Sequence, residues 1–72
     1  MSMMLSEVPF EEIRLGRLVI VPMSSISSAI GEIVGVDGNN ETITIEVEGL
    51  LMGNRKINVK HTEAIDIVFC NP

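Results

Sequence analysis

Seventy-two residues, with ten acidic and five basic side chains and one histidine, bound what this chain can be. The length allows one domain with a single small core. A formal net charge of −5 excludes loose attraction to nucleic-acid phosphate, so any nucleic-acid site has to be local. Cys70 is the only cysteine, which excludes an internal disulfide. Cys70 and His61 together fall short of the about four ligands of a structural zinc site, so no metal or other cofactor is expected.

Hydrophobic residues make up 46% of the chain, yet it has no Trp, no Tyr and only two Phe. The apolar content is Ile, Val, Leu and Met, which suits a β-rich core. No apolar run approaches the length of a membrane span. The stretch Met1–Leu5 lacks the basic region and long apolar core of a signal peptide, so a cytoplasmic protein is expected. Catalytic signatures are missing: there is no G-x-S-x-G elbow, no GxxxxGK[ST] and no GxGxxG. A single histidine among scattered carboxylates is not a triad, and the chain reads as a non-enzyme.

In chain order, residues 1–5 read as a frayed start. Residues 6–16 read as a short helix, with Ser6 as N-cap, Pro9 in the first turn, Glu11 and Glu12 near the positive end of the dipole and Gly16 as the stop. Phe10 and Ile13, at i and i+3, would dock it on a sheet. Arg17–Val21 is a β-branched run ended by Pro22. Met23–Ser28 is a serine-rich loop. Ile30–Asp37 is a second strand with two glycines, and Asp37-Gly-Asn-Asn-Glu41 a turn cluster. Thr42–Glu48 alternates strictly, with Ile43, Ile45 and Val47 on one face. Gly49–Asn54 is a hairpin tip made apolar by Leu50, Leu51 and Met52. Arg55–Lys60 is a fourth strand, with Ile57 and Val59 on one face. Ala64–Phe69 is a fifth, with Ile65, Ile67 and Phe69 on one face. Tight turns leave no room for crossover helices. The expected fold is therefore mostly β: a short N-terminal helix and then a five-stranded, strongly bent antiparallel small barrel over 17–69, all in one domain of residues 1–72.

Gly31-Glu-Ile-Val-Gly35-Val-Asp37 is the most specific stretch. Two glycines four apart inside a strand point to sharp bending or close backbone approach. Followed by a turn and an alternating strand, it resembles the first Sm motif. Val59-Lys-His-Thr-Glu-Ala-Ile-Asp-Ile67 has the spacing of the second, with Lys60-His61 at the place of the usual Arg-Gly pair, as in the bacterial Hfq-type branch of the Sm-like family. The resemblance covers roughly Ser6 to Phe69. Two departures stand out: Glu41 sits where the family pattern has Asn, and the Asp37–Glu41 turn has no aromatic residue.

The resemblance implies a homo-oligomeric ring of about five to seven subunits that binds single-stranded, U- or A-rich RNA as a chaperone does. Carried over by position, Asn39, Asn40, Lys60 and His61 would contact RNA, and Asp37 would support the turn. The edges of the last two strands would pair between subunits, bringing Ile57, Val59, Ile65 and Ile67 to the interface. Repetition around a ring is how an acidic chain would gather weak contacts into useful affinity. The competing expectation is an SH3-like protein-interaction module or structural ring subunit without RNA. It rests on the acidic composition, the missing aromatic and the apolar Leu50–Met52 tip.

Overall fold

A computed structural model describes residues 3–24, 26–49 and 53–70. The chain is mostly β, as its Ile and Val content leads one to expect. Among the described residues, six strands form one antiparallel sheet: β1 (Met3–Met4), β2 (Leu18–Pro22), β3 (Ser28–Asp37), β4 (Thr42–Val47), β5 (Arg55–Lys60) and β6 (Val68–Phe69). Their order is β1-β6-β2-β3-β4-β5, so the sheet stays open with β1 and β5 at its edges. The mostly β fold is as expected, but the five-stranded small barrel over 17–69 is replaced by an open sheet of six strands. β6 is only two residues long, and its two sides are taken by β2 and β1, which leaves β5 no strand on which to close.

The long strand β3 carries the bend. Ser28–Glu32 pairs with β2, while Gly31–Asp37 pairs with β4. Gly31 is opposite both Val19 and Val47, where the strand passes from one half of the sheet to the other. A Cβ at Gly31 would lie 2.6 Å from Ile45 Cγ2 and 3.3 Å from the Glu46 carbonyl oxygen. Hydrogen is therefore the largest substituent that this crossing point accepts. A bulge between Ile33 and Gly35 then shifts the register and reverses which residues face inward. Before it, Gly31 and Ile33 are buried; beyond it, Val36 lies opposite the buried Ile43.

The core is aliphatic. Ile33, Ile43 and Ile45 are fully buried beside Val19, Val47, Ile67 and Phe69, each large side chain contributing about 1.5–3 kcal/mol by leaving water. Ile57 and Val59 pack on this cluster half-buried, because β5 is an edge strand. Among the described residues, no helix is long and apolar enough to cross a membrane.

The expected N-terminal helix over 6–16 does not form. In its place are two separate 3₁₀ turns, Leu5–Glu7 and Phe10–Glu12. Pro9 lies between them and supplies no N–H to continue a helix. The backbone finds partners elsewhere: Leu5 N–H donates to the Ile67 carbonyl at 2.7 Å and Ser6 N–H to that of Ala64 at 3.1 Å. Residues 3–5 of the supposedly frayed start are ordered as well: Met3 and Met4 pair with β6, and Leu5 is fully buried.

The strand expected over Ala64–Phe69 is also corrected. Only Val68–Phe69 is strand. A 3₁₀ turn over His61–Glu63 carries the chain off β5, and its last turn is closed by Ala64 N–H donating to the His61 carbonyl. Burial then falls on Ala64, Ile67 and Phe69, and Ile65 is 69% exposed. Ile65 and Ile67 therefore do not share a face: the chain bends at residues 65–66 before strand resumes at Val68.

Candidate functional site

The turn between β3 and β4 is built by its own sequence. Asp37 Oδ1 accepts the N–H of Asn39 at 3.0 Å and of Asn40 at 3.4 Å, and Oδ2 accepts Asn40 Nδ2 at 3.0 Å. This is the Asx-turn chemistry expected of Asp37 as turn support. The hydrogen bond from the Asn40 side chain, aided by the Asn39 N–H, holds the Asp37 carboxyl below its ordinary pKa, because each donor favours the charged form. Glu41 closes the turn with a left-handed backbone, φ +51°. That conformation suits Asn or Gly far better than Glu.

Lys60-His61 is brought to the same corner by β4–β5 pairing. Thr42 is opposite Lys60, and His61 N–H donates to the Glu41 carbonyl at 2.9 Å. The Asp37–Glu41 turn and the Lys60–His61 turn are therefore neighbours at one end of the sheet, although some twenty residues separate them in the chain. Lys60 and Asn39 are exposed there. Asn40 is exposed too, but its amide nitrogen is held by Asp37.

His61 is placed differently from Lys60. Its ring is half-buried, with Nε2 2.6 Å from the Val8 carbonyl oxygen. A carbonyl only accepts, so Nε2 carries the proton. The ring also packs against Phe10 in an edge-to-face arrangement, centroids 5.6 Å apart at 64°. His61 thus pins the N-terminal segment to the sheet through Val8 and Phe10. Sequence reasoning missed Val8 and Phe10 as its partners, because contacts spanning about fifty positions leave no local pattern. It also missed Thr44 and Asn58, which share a 2.7 Å side-chain hydrogen bond on the same outer face. That pair was in reach of the alternation of β4 and β5, since Thr44 and Asn58 are cross-strand partners.

The expected interface residues are split. Ile57 and Val59 lie on the exposed edge strand β5, as expected of an edge. Ile67 is buried in the core and Ile65 is exposed. The second expected edge, at the C-terminal strand, is occupied by Met3–Met4. Of the other basic residues, Arg14 and Arg17 flank a shallow cleft beside Phe69, while Arg55 and Lys56 open β5. The Leu50–Met52 tip lies outside the described residues. Among the described residues, no group of three or more His, Cys, Asp or Glu is placed to hold a metal ion.

Fold and site together define a class, a small open antiparallel β-domain with a polar corner made by two neighbouring turns. No protein-family model, curated protein or solved structure gives a significant match to the chain.

Proposed function

We propose that this chain is a cytoplasmic, non-enzymatic Sm-like domain that binds single-stranded, U- or A-rich RNA as a homo-oligomeric ring. The observation that carries this reading is the meeting of the two motif-derived turns, tied by the His61–Glu41 backbone hydrogen bond. In that corner Asn39 offers an amide for the edge of an unpaired base. Lys60 offers a cation for phosphate. Asn40 contributes its carbonyl oxygen, and Asp37 keeps both asparagines in place. His61 holds the corner through its Nε2 bond to Val8 and offers its ring to an unpaired base.

Assembly uses the two open edges. β5 of one copy meets the β1 side of the next, a head-to-tail contact that closes when the rotation permits, at about five to seven copies. Ile57 and Val59, half-buried in one chain, gain cover in that contact.

The test combines light scattering with filter binding to short oligo-U and oligo-A. A ring free of bulk nucleic acid should bind one of them, and Lys60→Ala with Asn39→Ala should weaken binding at least about tenfold, since each loss repeats in every subunit. A stable monomer at micromolar concentration, or undiminished binding in the double variant, refutes the reading.

A second reading is a protein-interaction or structural subunit without RNA. It is favoured by the covering of β6 by Met3–Met4, which removes one edge expected of a ring-former. Absence of oligonucleotide binding, whether the chain is a monomer or a ring, would select it.

A further inference from the structure

Away from the Lys60 corner, the outer face of the sheet carries an apolar row. Strand register sets it out: Met4 is opposite Val68, Val68 opposite Ile20, and Ile20 opposite Ile30. Four neighbouring strands spaced about 4.8 Å apart make this row about 14 Å long. Leu18 extends it along β2. Ile30 is 62% exposed and Leu18 47%, Met4 is exposed as well, and Ile20 and Val68 are half-buried between them. Isolated surface isoleucines are ordinary, but a contiguous row across four strands marks an interaction surface.

The charge beside the row is one-sided. Glu32 on β3 lies next to Leu18 on one side and directly opposite Glu46 on the other. Like charges opposite each other across strands are destabilising. Glu48 adds a third carboxylate to the same shallow groove, which Ile30 also lines. Lys56 is directly opposite Glu46 on β5 and supplies one positive charge beside the cluster. The groove therefore pairs an apolar wall with an acidic one, and three glutamates outweigh the one lysine.

We propose that this face docks a basic, amphipathic segment of another protein, with apolar side chains on the Ile20–Ile30 row and Lys or Arg beside Glu32, Glu46 and Glu48. Charge selects this occupant. Nucleic acid and anionic lipid are repelled by the three carboxylates. The same face of a second copy presents the same three carboxylates and meets the same repulsion, which leaves contacts through the strand edges unaffected. A basic segment relieves the Glu32–Glu46 repulsion as it binds, so the free fold carries a cost that the complex removes. The proposal does not depend on RNA binding: Glu32 is five residues, about 17 Å of strand, from the Asp37 corner.

The probe is a fluorescein-labelled peptide of about eight residues alternating Lys and Leu, long enough in extended form to cover the row. Its controls alternate Lys with Ser and Glu with Leu. Anisotropy should show saturable binding of the Lys–Leu peptide alone, weakening as salt is raised. Ile30→Ser should weaken it about tenfold. Glu32→Gln should weaken it about two- to fivefold while the melting temperature holds or rises, a combination that damage to the fold cannot produce. Equal binding of the Lys–Ser peptide would reduce the site to non-specific charge, and equal binding of the Glu–Leu peptide to non-specific apolar adhesion. Either result overturns the proposal. So would self-association abolished by Ile30→Ser in sedimentation, which would assign the face to a second copy. Oligonucleotide binding by the Lys60 variants is read separately, so the failure of one reading is distinguishable from that of the other.

Discussion

Adding one methyl group at Gly31 should destabilise the domain, although alanine is usually welcome where glycine is not conformationally required. Gly31 has no positive φ, so the backbone itself accepts alanine. Space does not: the new Cβ would be 2.6 Å from Ile45 Cγ2, against about 3.5–4.0 Å for carbon atoms in contact. Ile45 is fully buried in the middle of β4 and opposite Ile33, so it cannot swing away. Overpacking of this kind costs about 1–3 kcal/mol. The alanine restricts the unfolded chain and recovers about 0.4–1 kcal/mol. The net loss is about 1–2 kcal/mol, or roughly 4–16 °C in melting temperature for a domain of this size. Gly38→Ala is the matched control. Nothing lies within 4 Å of its Cβ position, so it should gain the about 0.4–1 kcal/mol without the clash. Ile45→Leu, which removes the offending Cγ2, should partly rescue Gly31→Ala in a double-mutant cycle followed by urea unfolding. A Gly31→Ala protein as stable as Gly38→Ala would refute the claim that the strand bends here for want of room.

Glu41→Asn should raise stability by about 1 kcal/mol in chemical denaturation, since Asn tolerates the left-handed backbone at φ +51° that penalises Glu. His61→Ala should lower stability by about 1–3 kcal/mol, because the Val8 carbonyl loses its donor and Phe10 its edge contact; a melt of the variant reads this directly. For Asp37, the folded-state pKa is depressed. Its contribution is then complete above the unfolded value near 3.8 and is lost as pH falls through the lower folded value. Urea midpoints of the parent should accordingly drop below about pH 4 more steeply than those of Asp37→Ala, and parallel pH profiles would contradict the Asx-turn assignment.

The alternation in Thr42–Val47 and Arg55–Lys60 places Ile43, Ile45, Ile57 and Val59 on one side without help from the fold, because side chains on a strand repeat every two residues. The bend at Gly31–Gly35 and the Asp37 turn were equally legible, since both depend on residues adjacent in the chain. The meeting of the Asn39–Asn40 turn with Lys60 was implied only by the family resemblance; β4–β5 register, with Thr42 opposite Lys60, is what places them at one corner.

What only the tertiary structure decided lies at the two ends of the chain. Phe10 and Ile13 are spaced three apart, a pattern that serves an α-helix and a 3₁₀ turn alike. So short a helix is marginal by itself. The choice fell to the carbonyls of Ala64 and Ile67, which take the N–H groups of Ser6 and Leu5. The same contacts make Met3–Met4 a strand and deny β6 a free edge. Ile65 turned outward because the chain bends at residues 65–66 instead of running as a strand from Ala64, so the local alternation does not hold there. His61 became a clamp because Val8 and Phe10 reached it from the far end of the chain. Periodicity reports which neighbours in sequence share a face; it carries no information about which distant backbone groups will satisfy a segment's hydrogen bonds, and at both ends of this chain those distant groups set the outcome.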